Sequence, residues 1–124
     1  MGLILIYVSS VIITGWGIAH LVPTRKVVDG FGPLSSDNKR ILTMEWIAEG
    51  LTLCFIGLLA LSIAVYGQYQ NQVAIIVYRA LAAMLLVMAA LTSLTGARTS
   101  VVFFKICPAV KGICALLFIL GTLL

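Results

Sequence analysis

The apolar residues of this chain fall into four blocks that short polar segments separate. We place the blocks at about residues 3–21, 41–66, 73–95 and 103–123. Each block is close to the roughly 20 residues that an α-helix needs to cross about 30 Å of hydrocarbon. The pattern predicts an all-α fold, in which residues 1–124 form a single domain. We expect an integral membrane four-helix bundle with up-down topology and short connections.

The segments between the blocks carry turn and capping signals. Residues 22–38 contain two prolines and two glycines among polar residues, which indicates a connection. Its apolar residues predict a short piece on the membrane surface: Val27, Val28, Phe31 and Leu34. Ser35 or Ser36, followed by Asp37, offers an N-cap and a first-turn acid. We therefore expect the second helix to begin before it enters the membrane.

Small residues and one proline indicate how the helices pack. Gly15 and Gly17 would allow a neighbouring helix to approach the first block closely. In the third block, four alanines recur at seven-residue spacing, as expected for a helix contact: Ala82, Ala83, Ala89 and Ala90. Pro108 either occupies the first turn of the last helix or kinks it.

Composition excludes most soluble classes of protein. The chain is 62% hydrophobic and 10% charged, whereas soluble domains carry roughly a quarter charged residues. Its mean hydropathy is +1.18. The formal charge is +4, but the basic residues are dispersed near block ends, so we expect no nucleic-acid partner. Three cysteines lie in apolar surroundings without metal-ligand or disulfide-framework spacing, so no metal site is predicted.

Charge placement predicts the orientation of the bundle. The first and third connections carry the basic residues: Arg25, Lys26, Lys39, Arg40 and Arg98, with Lys105 close by. The second connection carries none, so the first and third should face the cytoplasm and both termini the outer side, as in a protein of the cell inner membrane. No Lys or Arg precedes Leu3, so we expect the first block to be a retained span and not a signal peptide. Four tyrosines near the outer boundary, and Trp16 and Trp46 near the inner one, agree with two interfacial aromatic belts.

The ionisable residues inside the blocks converge in the cytoplasmic half. His20 ends the first span, Glu45 and Glu49 open the second, and Lys105 and Lys111 open the fourth. Ionisable groups within a span cost roughly 2.5–3.5 kcal/mol each, so they usually face the bundle interior and find partners. We predict a binding site built from these five residues, with Glu49 and Lys111 as the first pair.

Two interpretations of this group stay open. Glu49, assisted by Glu45 and His20, would bind a polar head group or relay protons in a cavity that opens to the cytoplasm. Alternatively, Glu45 lies in water and the Glu49–Lys111 pair fixes helix register. His20 alone fits an interfacial side chain better than a ligand. Arg79 either extends to the outer interface or meets the carboxylate of Leu124, and we favour the interface.

The second and third blocks resemble the DoxX-like group of small four-helix membrane proteins. The likeness is carried by YRALAAMLLVMAALTSL in the third block and by these residues of the second: Glu45, Glu49, Gly50, Leu51, Leu53, Gly57, Leu58 and Leu59. Some members of that group are linked to quinol- or thiol-related redox complexes. The resemblance therefore implies an accessory or small-molecule-binding role.

The sequence supports two functional hypotheses and names no cofactor. In the first, the bundle is a binding module or accessory subunit that holds a membrane lipid, a quinone or lipid-like small molecule, or a partner protein against the acidic face of the second span. In the second, it is a membrane enzyme or proton-coupled carrier in which Glu49 exchanges protons. The second version would require a homodimer or larger complex, because four spans make a thin wall for a carrier.

Overall fold

A computed structural model describes all 124 residues of the chain. It contains five α-helices, and a short 3₁₀ turn at Gly96–Arg98 follows the fourth. The α-helices are α1 (Gly2–Leu21), α2 (Thr24–Asp29), α3 (Ser36–Tyr66), α4 (Gln72–Leu94) and α5 (Val102–Gly121). The four long helices coincide with the predicted blocks, and each is long and apolar enough to cross a membrane. The all-α fold is confirmed, and the chain is a small multi-pass integral membrane protein.

Helix α3 begins where the capping signal predicts. The side-chain oxygen of Ser35 accepts a hydrogen bond from the backbone N–H of Asn38, and Asp37 lies in the first turn. The helix has 31 residues, so it is about 46 Å long at 1.5 Å per residue. It is therefore longer than the roughly 30 Å of a hydrocarbon core, as expected for a helix that begins before it enters the membrane.

The connection between α1 and α3 is ordered by the short helix α2. Val28 of α2 is buried, and the Nζ of Lys39 donates a hydrogen bond to Oδ1 of Asp29 at 2.7 Å. This hydrogen bond and the charge of Lys39 lower the pKa of Asp29 below its ordinary value. The ion pair is exposed to solvent, so its main effect is to fix the end of α2 against the first turn of α3.

The long helices do not form a closed square. Helix α1 packs extensively against α3 and also against α5, and α5 packs against α4. Helices α3 and α4 hardly contact each other. The order in space is therefore α3, α1, α5, α4, and a gap remains between the two outer helices.

Small residues bring α1 and α3 into close contact. A Cβ added at Gly17 would lie 2.8 Å from the backbone nitrogen of Cys54 and 2.9 Å from the carbonyl oxygen of Gly50. The same addition at Gly15 would meet nothing within 4 Å. Of the two predicted contact glycines, only Gly17 lies in the helix contact. The predicted alanine contact divides in the same way: Ala82 and Ala89 are buried, whereas Ala83 and Ala90 are exposed.

Three further expectations are decided by the fold. Pro108 lies inside α5 and not in its first turn, and it removes the hydrogen bond that its N–H would give to the carbonyl of Phe104. Tyr78 is buried and stacks on Phe118 at 6.2 Å between ring centroids, so its assignment to an interfacial belt is wrong. Arg79 is exposed, and its Nε donates to the hydroxyl of Thr122 at 3.3 Å, without an ion pair to the terminal carboxylate.

The contrast between Gly15 and Gly17 of α1 predicts opposite effects of the same substitution. Gly17→Ala should lower the free energy of unfolding by about 1–3 kcal/mol, because the new methyl group meets the backbone of α3. Gly15→Ala should leave it unchanged or raise it by up to about 1 kcal/mol, because alanine favours the helix. Thermal unfolding of both variants in the same detergent measures the difference. Equal stability of the two would show that α1 and α3 do not approach at Gly17.

Candidate functional site

A cavity of about 700 Å³ opens in the gap between α3 and α4. It lies toward the end of the bundle that carries Arg25, Lys26, Lys39, Arg40 and Arg98, which we call the basic end. Exposed residues of α3 and α4 form its rim, and buried residues of α1 and α5 form its floor. The residues that matter most for its chemistry are His20, Glu45, Trp46, Glu49, Met84, Met88, Leu91, Thr92, Cys107 and Lys111.

Lys111 is the charged group on the floor of the cavity. Its side chain has 0% exposure, and its Nζ forms an ion pair with Oε1 of Glu49. The same Nζ donates a hydrogen bond to the hydroxyl of Thr92 at 2.9 Å. The predicted Glu49–Lys111 pair is therefore present. It joins α3, α4 and α5 at one depth of the bundle.

His20 lies beside this pair, in the last turn of α1. Its side chain is only 2% exposed, and its Nε2 lies 3.7 Å from Oε2 of Glu49. At this distance the two groups do not form a direct hydrogen bond. Neither ring nitrogen of His20 has a hydrogen-bond partner. A buried imidazole without partners is costly, so the two nitrogen atoms leave hydrogen-bonding capacity unused beside the cavity that His20 lines.

Trp46 holds the imidazole of His20 in place. The two rings stack with centroids 3.8 Å apart and planes 15° apart. The indole N–H of Trp46 also donates to the backbone carbonyl of His20 at 2.8 Å. The stacking and the hydrogen bond together leave the ring of His20 little freedom, so its nitrogens keep a defined direction.

A second aromatic pair supports the floor from the other side. Trp16 and Phe103 stack with centroids 4.7 Å apart, and the ring of Phe103 lies 6.2 Å from that of His20. The indole N–H of Trp16 donates to Sγ of Cys107 at 3.4 Å. Aromatic side chains thus surround the polar cluster, and they keep its surroundings apolar.

The structure brings together some of the five predicted site residues and separates others. His20, Glu49 and Lys111 form one cluster, whereas Glu45 is exposed at the rim of the cavity. Lys105 is exposed and does not line the cavity, because it lies on a different face of α5 from Lys111. Its role in binding stays a prediction that this cavity does not support. The preference for His20 and Trp46 as interfacial side chains was wrong, since both are buried.

Six of the main cavity residues were not predicted from the sequence: Trp46, Met84, Met88, Leu91, Thr92 and Cys107. A signal for Trp46 was present, because it precedes Glu49 by three residues and so shares its helix face. Thr92 was no different in the sequence from the other hydroxyl residues near the end of the third block. Cys107 precedes Lys111 by four residues, which places it one turn away on the same face.

The cluster offers hydrogen-bonding groups for a bound molecule. Lys111 has three N–H donors and uses two of them on Glu49 and Thr92. Oε2 of Glu49 is an acceptor with no hydrogen bond in the structure, and His20 offers one ring nitrogen as donor and one as acceptor when neutral. All three cysteines are free thiols. No group of three or more His, Cys, Asp or Glu side chains is arranged to hold a metal ion.

No protein-family model, no curated protein sequence and no solved structure matches this chain. The resemblance to the DoxX-like group therefore stays a prediction.

The buried ion pair predicts that the same substitution at Lys111 and at Lys105 has different effects on the free energy of unfolding. Lys111→Met should lower the free energy of unfolding by about 2–4 kcal/mol, because it leaves the half-buried carboxylate of Glu49 without its partner. Lys105→Met, the same change on an exposed residue of the same helix, should change it by less than about 0.5 kcal/mol. Chemical unfolding in detergent compares the two.

The double variant Lys111→Met/Glu49→Gln provides the control for this prediction. Because the double variant no longer carries the unpaired charge of Glu49, it should recover at least half of the free energy of unfolding that Lys111→Met loses. The contrary outcome is a double variant that loses as much free energy of unfolding as the single substitutions at Lys111 and Glu49 lose in sum. In that case the two side chains do not stabilise each other, and the structural role of the ion pair is contradicted.

Proposed function

We propose that this protein is a membrane-embedded binding module, which holds a lipid-like small molecule in the cavity between α3 and α4. The polar part of the molecule would contact His20, Glu49 and Lys111, and its apolar part would lie along the rim. The observation that carries the proposal is the buried, unpartnered imidazole of His20 on the floor of an open cavity.

The size and lining of the cavity support this proposal. Ligand sites usually measure about 300–1,000 Å³, with mostly apolar walls and a few convergent polar groups. Here the volume is about 700 Å³, and the side chains of His20, Glu49 and Lys111 converge at the floor. The rim residues Met84 and Leu91 are exposed, and methionine adapts readily to ligands of different shape.

The position of the opening favours a ligand that comes from the bilayer. Helices α3 and α4 are each long and apolar enough to cross a membrane and hardly contact each other, so in a bilayer the gap between them would open to lipid. A quinone or another lipid-like molecule could reach the cavity by lateral diffusion. An accessory role in a larger complex with a partner protein rests on the DoxX-like resemblance. A second copy of the chain would be required by a carrier, because four spans make a thin wall.

A second candidate function is proton exchange with the bound molecule, in an enzyme or proton-coupled carrier. The distance of 3.7 Å between Nε2 of His20 and Oε2 of Glu49 favours it, because one bridging hydroxyl group or water could connect a base and an acid there. Recovery of a chemically altered molecule after incubation with the protein would favour this function over simple binding.

The binding proposal predicts that the protein carries a small lipid when purified from native membranes. Organic extraction followed by mass spectrometry should find it in the wild-type protein. Glu49→Gln should lower its occupancy by about tenfold or more, because a charge-assisted hydrogen bond is lost. Glu45→Gln, the same change one helical turn away at the rim, should retain most of it.

A variant that fills the cavity without altering its charges separates binding from folding. Met88→Trp should expel the lipid, whereas Val87→Trp, on the exposed face of the same helix, should not. Thermal unfolding of each variant shows whether it is folded. An empty wild-type protein, or undiminished occupancy in both Glu49→Gln and Met88→Trp, would contradict the proposal.

We also propose that the basic end faces the cytoplasm of a cell inner membrane and that both termini lie outside. The basic residues of the first and third connections support this orientation. In a variant in which Cys54, Cys107 and Cys114 are replaced by alanine, a single cysteine at Gln70 should react with a membrane-impermeant maleimide in whole cells. A single cysteine at Ser100 should react only after lysis. The reverse labelling pattern would contradict this orientation.

A further inference from the structure

We infer that the cavity selects an uncharged amphiphile that carries a hydroxyl group, such as a long-chain alcohol. This inference rests on the proposed function, since it names the chemical class of the molecule bound at the same site. It follows from two properties of the floor: its balance of charge and its balance of hydrogen-bond donors and acceptors.

The charges on the floor cancel. Lys111 and Glu49 form an ion pair, and the ring of His20 stacks on Trp46 in an apolar aromatic surrounding. Glu45 lies at the exposed rim, and Lys105 does not line the cavity. A carboxylate or ammonium head group would therefore bring an unpaired charge into this floor, which is costly. An uncharged head group avoids that cost.

The free hydrogen-bonding groups call for both a donor and an acceptor. A neutral imidazole has one N–H donor and one acceptor nitrogen, and both ring nitrogens of His20 are buried without partners. Oε2 of Glu49, 3.7 Å from Nε2 of His20, adds a second acceptor. A hydroxyl group can accept from one group and donate to another, whereas an ether or ketone oxygen can only accept. The hydroxyl is thus the smallest uncharged group that meets both needs.

The rim has room for the chain of such a molecule. Met84 and Leu91 of α4 are exposed on the surface of the bundle, and Ala48 of α3 lines the same cavity with a small side chain. A hydrocarbon chain in this gap would replace bilayer lipid against α3 and α4. Its hydroxyl group would then lie at the floor while the rest of the molecule stays in the bilayer.

Four probes with nearly the same chain test this inference: 1-hexadecanol, its methyl ether, hexadecanoate and hexadecyltrimethylammonium. The protein would carry Trp16→Phe, so that Trp46 is the only tryptophan, and would be placed in phosphatidylcholine nanodiscs. Because Trp46 stacks on His20, its fluorescence should report binding as the mole fraction of probe in the bilayer rises. We expect saturable binding of 1-hexadecanol and about tenfold or more weaker binding of each of the other three.

His20→Phe removes the two ring nitrogens but keeps an aromatic ring on Trp46. In this variant the preference for 1-hexadecanol over its methyl ether should fall by about threefold or more, because only Oε2 of Glu49 and the free N–H of Lys111 remain for the hydroxyl group. Saturable binding of either probe shows that the cavity is intact. Equal or tighter binding of an ionic probe or of the ether to the unsubstituted site would overturn the inference but leave the binding function standing. If no probe binds saturably, the proposed function fails, and this inference fails with it.

Discussion

The ion pair between Lys111 and Glu49 is the constraint on which the rest of this bundle depends. A lysine with 0% side-chain exposure within a membrane-spanning helix must be neutralised, because an unpaired charge in an apolar surrounding is costly. The carboxylate of Glu49 and the hydroxyl of Thr92 supply that compensation from two other helices. The pair therefore fixes the relative depth of α3, α4 and α5, and it gathers the polar groups of the spans near one end.

The cavity exists because the packing of the four spans is uneven. Gly17 on α1 and Gly50 on α3 allow their helices to approach until backbone atoms almost touch. No comparable contact joins α3 to α4. The polar cluster lies on the floor of the resulting gap, so the same ion pair that connects three helices also faces an open space. A structural role and a binding role for Glu49 are thus compatible.

His20 and Lys105 show where reasoning from the sequence reached its limit. Both were placed near the basic end by their positions in the apolar blocks, and that information does not include the direction of a side chain. His20 is buried because Trp46, from a different helix, covers its ring. Lys105 is exposed because it lies six residues from Lys111, and six residues at about 100° each place the two side chains on different faces of α5. Helical periodicity alone could have separated the two lysines, whereas the burial of His20 required the contact with α3.

The sequence alone determined the membrane class, the number of spans and an N-cap at Ser35 or Ser36, and it predicted the pairing of Glu49 with Lys111. These properties depend on local hydropathy, local capping chemistry and the scarcity of charged partners inside the spans. The tertiary structure alone decided which helices are neighbours, where the gap lies, and that His20 points into it without a hydrogen-bond partner. These features depend on how helix faces meet across long sequence separations. In lipid, apolar side chains on every face of a span satisfy the same hydropathy, so the pattern of one helix does not specify which neighbour it contacts.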